Sequence, residues 1–212
     1  VLGANDGIIS ISSLMIGIAS AAGDQGDILL SGIAGLVAGA MSMAAGEYVS
    51  VCSQSDLEEA DLKREAWELA EMPEAEIQEL TNIYIERGVE PKLAREVSIQ
   101  MMEKDALGTH AREELGISEI TKARPIQAAF ASAASFSFGG IIPVLTVLML
   151  KPNTFVVGTS VLSLILLGVL GAVGARIGKA HPFKPSLRIM FWGAIAMGFT
   201  ALIGKLLGTQ LI

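Results

Sequence analysis

Two pairs of glutamates flank a proline in the acidic stretch 64–80: Glu65 and Glu68 before Pro73, Glu76 and Glu79 after it. Each pair has i, i+3 spacing, which puts both carboxylates on one face of a helix. Like charges so placed repel by about 0.2–0.5 kcal/mol per pair. Arg64 can relieve Glu68 at i, i+4, but Glu65, Glu76 and Glu79 have no equivalent. Pro73 ends one helix and opens the next, so a hairpin there could turn the two pairs towards each other. Converging carboxylates are unfavourable alone and very favourable around a divalent cation. The same residues also fit a solvated charged face, the commoner use of such a run. Glu71 and Glu74, nearest the turn, read as solvent-facing charge.

A second set lies in apolar surroundings. Asp6 and Glu47 are the only acids within the long apolar stretches, since Asp24 and Asp27 fall in a short connection. A carboxylate inside a membrane span costs at least about 2.5–3.5 kcal/mol, so it marks a pathway or a paired site by default. Met43 and Glu47 share a helix face at i, i+4, and antiparallel neighbours would bring Asp6 near their level. Carboxylate with thioether is a mixed hard and soft set, better suited to Fe(II) than to Mg²⁺ or Ca²⁺. The alternatives are that Asp6 caps a helix near the interface and that Met43 is packing filler.

The elements that must hold these residues follow from composition. Of 212 residues, 51% are hydrophobic and 17% charged, which is too apolar for an ordinary soluble domain. The charge is uneven: residues 55–124 carry 18 of the 22 acids and 9 of the 15 basic residues. A bilayer span needs about 20 mostly apolar residues, and five stretches qualify: 1–22, 28–52, 126–150, 154–178 and 187–211. Their short connections, GDQGD, KPN and KAHPFKPS, make neighbours antiparallel. The first stretch is too long for a secretion signal. Gly35 and Gly39 form GxxxG in the second span, with Ser42 and Gly46 continuing the small-residue spacing for close packing within a monomer or across a dimer. GGIIP, Gly139–Pro143, is a candidate kink in the third.

The connection after the fourth span holds Arg176, Lys179, Lys184 and Arg188, whereas those after the first and third hold none and Lys151 alone. The positive-inside rule then puts the basic loop, the N-terminus and the acidic insertion in the cytoplasm, and the C-terminus outside or in a lumen. The insertion reads as three helices. The first continues the second span, because no Gly or Pro falls between Glu47 and Met72. The second runs from Pro73 to near Gly88, and the third from Pro91 towards Leu115, stopping at Gly116. The predicted organisation is 1–52 as membrane helices one and two, 53–124 as the acidic domain, and 125–212 as membrane helices three to five. This is an all-α integral membrane protein.

Other classes are poorly supplied. Acidity argues against nucleic acid as a partner. A single cysteine, Cys52, excludes an intrachain disulfide. Two histidines and no nucleophile constellation leave little from which to build an enzyme.

NDGI at Asn5–Ile8, GAMSMAAGEYVS at Gly39–Ser50, KRE at Lys63–Glu65, ELGI at Glu114–Ile117 and SFGGIIP at Ser137–Pro143 together resemble the vacuolar iron transporters, nodulin-like and yeast-type members included. The resemblance spans most of the chain. It implies five membrane helices, a homodimer in the lipid bilayer and a cytoplasmic three-helix metal-binding domain. It also implies export of Fe(II), sometimes Mn(II), from the cytoplasm into a vacuole or out of the cell in exchange for protons. By the same resemblance Asp6, Met43 and Glu47 line the transport pathway, and Glu65, Glu68, Glu76, Glu79 and Glu114 bind metal. Where the plant iron-transporter branch has two methionines before the last of these, this chain has His110 and Ala111. His110 would supply a nitrogen ligand instead and change the softness of the site, with Zn(II) or Co(II) as further ions it could hold. That branch also has a membrane glutamate where this chain has Gly35, and Glu47 would supply the missing carboxylate. The alternative reading is a membrane-anchored divalent-metal buffer or sensor that transports nothing.

Overall fold

The computed structural model describes residues 1–117 and 123–208. Within them the chain is helical: α1 (Leu2–Ser20), α2 (Gln25–Glu71), α3 (Pro73–Glu86), α4 (Pro91–Glu113), α5 (Pro125–Met149), α6 (Pro152–Ile177) and α7 (Phe183–Gly208). Five of these, α1, α2, α5, α6 and α7, are long and apolar enough to cross a membrane. The last residues of the fifth expected span, 209–211, and residues 118–122 of the insertion lie outside the described residues. Contacts divide the chain into two compact units, Val1–Tyr48 with Ile126–Ile212, and Val49–Pro125. Helix α2 contributes to both, as the lack of a Gly or Pro breaker between Glu47 and Met72 predicts.

In the first unit α1 is the central helix. It packs on α6 and α7, and its Ile11 and Met15 join Ile28 of α2, Phe136, Val144 and Val147 of α5 and Phe155 of α6 in one buried cluster. Glycines set how closely the helices approach. A Cβ at Gly7 would fall 2.1 Å from the Phe136 carbonyl oxygen, and one at Gly139 would fall 2.0 Å from that of Ala4. Gly139 thus serves backbone contact between α1 and α5, while α5 runs on through Pro143 as one helix. On α2, Gly35 and Gly39 make room for Leu14 and for the Phe136 ring of the same chain. Two pairs of buried hydroxyls bond between helices: Ser12 with Ser163 at 2.7 Å and Thr146 with Thr159 at 2.8 Å. Pairing is needed because bilayer core offers no water to satisfy them.

The second unit holds the distal part of α2 with α3 and α4. Pro73 occupies the first turn of α3 after a Met72 whose φ and ψ are non-helical, so the chain reverses there. Gly88, at φ +96°, closes α3 in the left-handed region that favours glycine. The Glu90 carboxylate then accepts from the Leu93 N–H at 3.1 Å to cap α4, which opens with Pro91. Leu80 of α3 and Ala94 and Ser98 of α4 are fully buried where the two helices pack.

Helix α4 departs from the continuous helix expected between Pro91 and Leu115. Asp105 leaves helical geometry at φ −164°, ψ 86°. Its Oδ1 accepts from the Gly108 N–H at 3.0 Å, as an N-cap does. A new helical segment therefore starts at Ala106 and carries His110.

Candidate metal centre

Three elements of the second unit each deliver part of one cluster. Glu65 comes from α2, Glu76 from the first turn of α3, and His110 and Glu114 from the end of α4. One ligand atom from each of the four lies within 4.8 Å of every other. His110 Nδ1 stands 2.9 Å from Glu65 Oε1, 3.1 Å from Glu114 Oε2 and 3.7 Å from Glu76 Oε2. The residues retain little solvent contact: His110 is 0%, Glu65 1% and Glu76 5% exposed.

Nδ1 carries at most one proton, and its aligned partner is Glu114. Glu65 Oε1 is close to the ring but accepts no hydrogen bond, and His110 Nε2 has no partner either. A buried, unpaired carboxylate oxygen is expensive unless something positive meets it. Protonation is one response. Burial, with Glu114 and Glu76 adding repulsion, pushes the Glu65 carboxyl up to about 7, and His110 offsets this in part. Glu76 is raised too, first by burial and then by Glu79. A divalent ion is the other response. Three carboxylates and one imidazole are oxygen and nitrogen donors of the kind that hold borderline first-row metals.

The fold secures the end of α4 from outside the cluster. Arg87, at the C-cap of α3, bonds the Glu113 side chain, and its Nη2 donates to the Glu113 carbonyl at 2.8 Å. That guanidinium, helped by Arg112, holds the Glu113 carboxyl below its ordinary range despite partial burial. The adjacent Glu114 is thereby anchored.

Glu68 and Glu79 fall outside the four-residue group. Glu68 is half-buried and 3.9 Å from Arg64, and Glu79 is exposed. Both still act on Glu76 through charge. In the first unit, Asp6 is partly buried and accepts from the Ser10 hydroxyl at 2.7 Å. Met43 packs on the buried cluster and Glu47 is exposed. Among the described residues no hydrogen bond or ion pair links Asp6 to Glu47. Sequence reasoning missed the Asp105 cap and the Arg87–Glu113 link. The first had a signal, an Asp three residues before Gly108 in mid-helix; the second pairs residues 26 apart and had none.

Residues 1–205 match the family model described as the VIT family. The chain belongs to the VIT family. Its similarity to curated members runs nearly end to end. It is 46% identical over 207 residues to a vacuolar iron transporter of Acanthamoeba castellanii, covering 97% of this chain and 76% of that protein. It is 37% identical over 214 residues to vacuolar iron transporter homolog 1 of Arabidopsis thaliana, covering 99% and 82%. It is also 33% identical over 211 residues to VIT-like transporter 1b of Glycine max, covering 99% and 75%. With five candidate spans, this VIT family chain is an integral membrane protein.

Proposed function

We propose that this protein is a transporter, not an enzyme, that moves Fe(II) out of the cytoplasm in exchange for protons, with Mn(II) as a second substrate. The observation that carries the reading is the buried cluster of Glu65, Glu76, His110 and Glu114, in a chain whose similar proteins are named as iron transporters. Zn(II) and Co(II) suit the same donors. In this reading the second unit and the N-terminus face the cytoplasm, the chain works as a homodimer, and Glu68 and Glu79 help to gather cations around the cluster by their charge. The ion then passes to Asp6, Met43 and Glu47 in the spans. Metal binding requires deprotonated carboxylates, so protons arriving from the far side compete for the same oxygens and release the ion.

The test is uptake of Fe(II), Mn(II) and Zn(II) into proteoliposomes with and without a pH gradient. Fe(II) uptake that rises with the gradient, and falls in Asp6→Ala and Glu47→Gln, supports the mechanism. Wild-type rates in both variants would sink it. Metal bound by the protein with no flux across the sealed bilayer would favour the buffer or sensor reading.

A further inference from the structure

Two of the four cluster residues, His110 and Glu114, ride on the short segment that begins after Asp105. Its far end does not finish as a regular helix. Ile117, whose N–H would continue the helix by donating to Glu113, donates instead to the Ala111 carbonyl at 2.6 Å. Gly116, at φ +68°, turns the chain away there. A carbonyl at a helix end needs a donor from elsewhere. For Glu113 that donor is Arg87 Nη2, 2.8 Å away.

The carbonyl so held belongs to the peptide group that joins Glu113 to Glu114. The N–H of the same group donates to the His110 carbonyl at 2.9 Å. A peptide group is planar, so one held at both ends fixes the direction in which Glu114 leaves the backbone. Arg87 is itself held. Its guanidinium carbon lies 5.9 Å from the centre of the Tyr84 ring. Its Nη1 bonds Glu113 Oε2, while Arg112 Nε donates to Oε1 at 3.0 Å. Glu113 thus engages both guanidinium groups, and among the described residues neither forms an ion pair with Glu65, Glu76 or Glu114.

We propose that Arg87 is a positioning residue for the metal centre: by holding the peptide group between Glu113 and Glu114 it aims the Glu114 carboxylate at the ion. The proposal rests on the reading of the cluster as a metal centre. Charge alone argues the opposite way, since a guanidinium near a cation site repels the cation. Removing Arg87 tightens metal binding if only its charge matters, and weakens it if its grip matters. Arg95 supplies the comparison. It also ties α4 to α3, through Glu74, but stands ahead of Asp105 and outside the segment that carries the ligands.

The experiment is titration of the purified full chain with Co(II), with the visible absorption of the bound ion recorded at saturation. Arg87→Gln should weaken Co(II) binding about tenfold, the lower end of what groups supporting metal ligands contribute. Arg95→Gln should leave it unchanged. In a Glu114→Gln background, adding Arg87→Gln should change the affinity by less than about twofold, because the ligand it aims is already gone. In a Glu76→Gln background the tenfold loss should persist. The saturated Arg87→Gln spectrum should move towards that of Glu114→Gln. The Arg87 side chain is half-exposed, so its variant folds. Tighter or unchanged binding by Arg87→Gln, an equal loss in Arg95→Gln, or an undiminished loss in the Glu114→Gln background would each overturn the proposal. A wild-type chain that binds no Co(II) would overturn the metal-centre reading, and this proposal with it.

Discussion

His110 Nδ1 lies 2.9 Å from Glu65 Oε1, yet that oxygen accepts no hydrogen bond and is buried. The contact therefore brings a ring nitrogen and a carboxylate oxygen together without satisfying the oxygen. Glu114 holds the aligned position on the ring, and Glu76 crowds it from 3.7 Å. The second unit carries an electrostatic deficit that a cation at this point would remove, so metal affinity and metal-free stability should respond oppositely to mutation.

Glu65→Gln tests that opposition. At pH 8 the metal-free protein should gain on the order of 1–3 kcal/mol, because a buried unpaired carboxylate is replaced by a neutral amide. Metal affinity should fall at least as far as the roughly 10–100-fold seen when groups supporting a metal site are removed. Chemical unfolding with and without Co(II), followed by Trp67 fluorescence in a Trp192→Phe background, reads both effects. A metal-free protein made less stable by the change would contradict the account.

The same carboxyl sets a pH dependence. Glu65 titrates at about 7 in the folded chain against 4.5 in a free glutamate. A raised folded value favours the native state fully below 4.5, and the advantage is lost as pH rises through 7. Glu76 is shifted in the same direction. Glu113, held down by Arg87, acts oppositely, but its contribution is present above the ordinary glutamate value and constant there. Metal-free stability should therefore fall between pH 5 and 8, by about 2.5 kcal/mol from Glu65 alone. Metal affinity should climb about tenfold per pH unit below 7, as Glu65 gives up its proton to bind. Calorimetric titration of Co(II) at pH 6, 7 and 8, in buffers of different ionisation enthalpy, counts that proton.

Much of this architecture is legible in the chain itself, because its physics is local. Spans of about 20 apolar residues announce themselves by length, and α2 passes Glu47 unbroken because nothing between there and Met72 can stop a helix. Pro73 and Pro91 open α3 and α4 for equally local reasons. Rotation about the helix axes is different. Packing of Leu80 against Ala94 and Ser98 decides that Glu76 turns inward while Glu79 stays exposed. The two share a face by spacing, so spacing alone could not separate them. Similarly, residue spacing does not place His110 against Glu65, 45 positions away; only the family resemblance named both as ligands of one site.

His110 should determine which metal is preferred. Imidazole nitrogen favours the later first-row ions over Mn(II), whereas carboxylates discriminate less. Removing the ring in His110→Ala should narrow the Zn(II)-to-Mn(II) affinity ratio by about tenfold or more, with Mn(II) affinity less affected than Zn(II). Competition titrations with the purified full chain measure the ratio. An unchanged ratio would mean that Nδ1 does not reach the ion.

Asp105 should act on the centre without touching it. Its carboxylate caps the segment that carries His110, and Gly108 is bound into the arrangement: a Cβ there would fall 2.1 Å from Asp105 Oδ2. Asp105→Ala should cost about 1 kcal/mol, the usual worth of an N-cap. It should also lower metal affinity about tenfold by loosening the turn that aims the imidazole. Asn caps as well as Asp, so Asp105→Asn should restore both properties, although it removes a negative charge. That rescue separates capping from simple attraction of cations by an acidic surface. If Asp105→Asn behaves like Asp105→Ala, the charge and not the cap is what the centre depends on. Gly108→Ala supplies an independent check, since it leaves every charge in place and should still reproduce the loss.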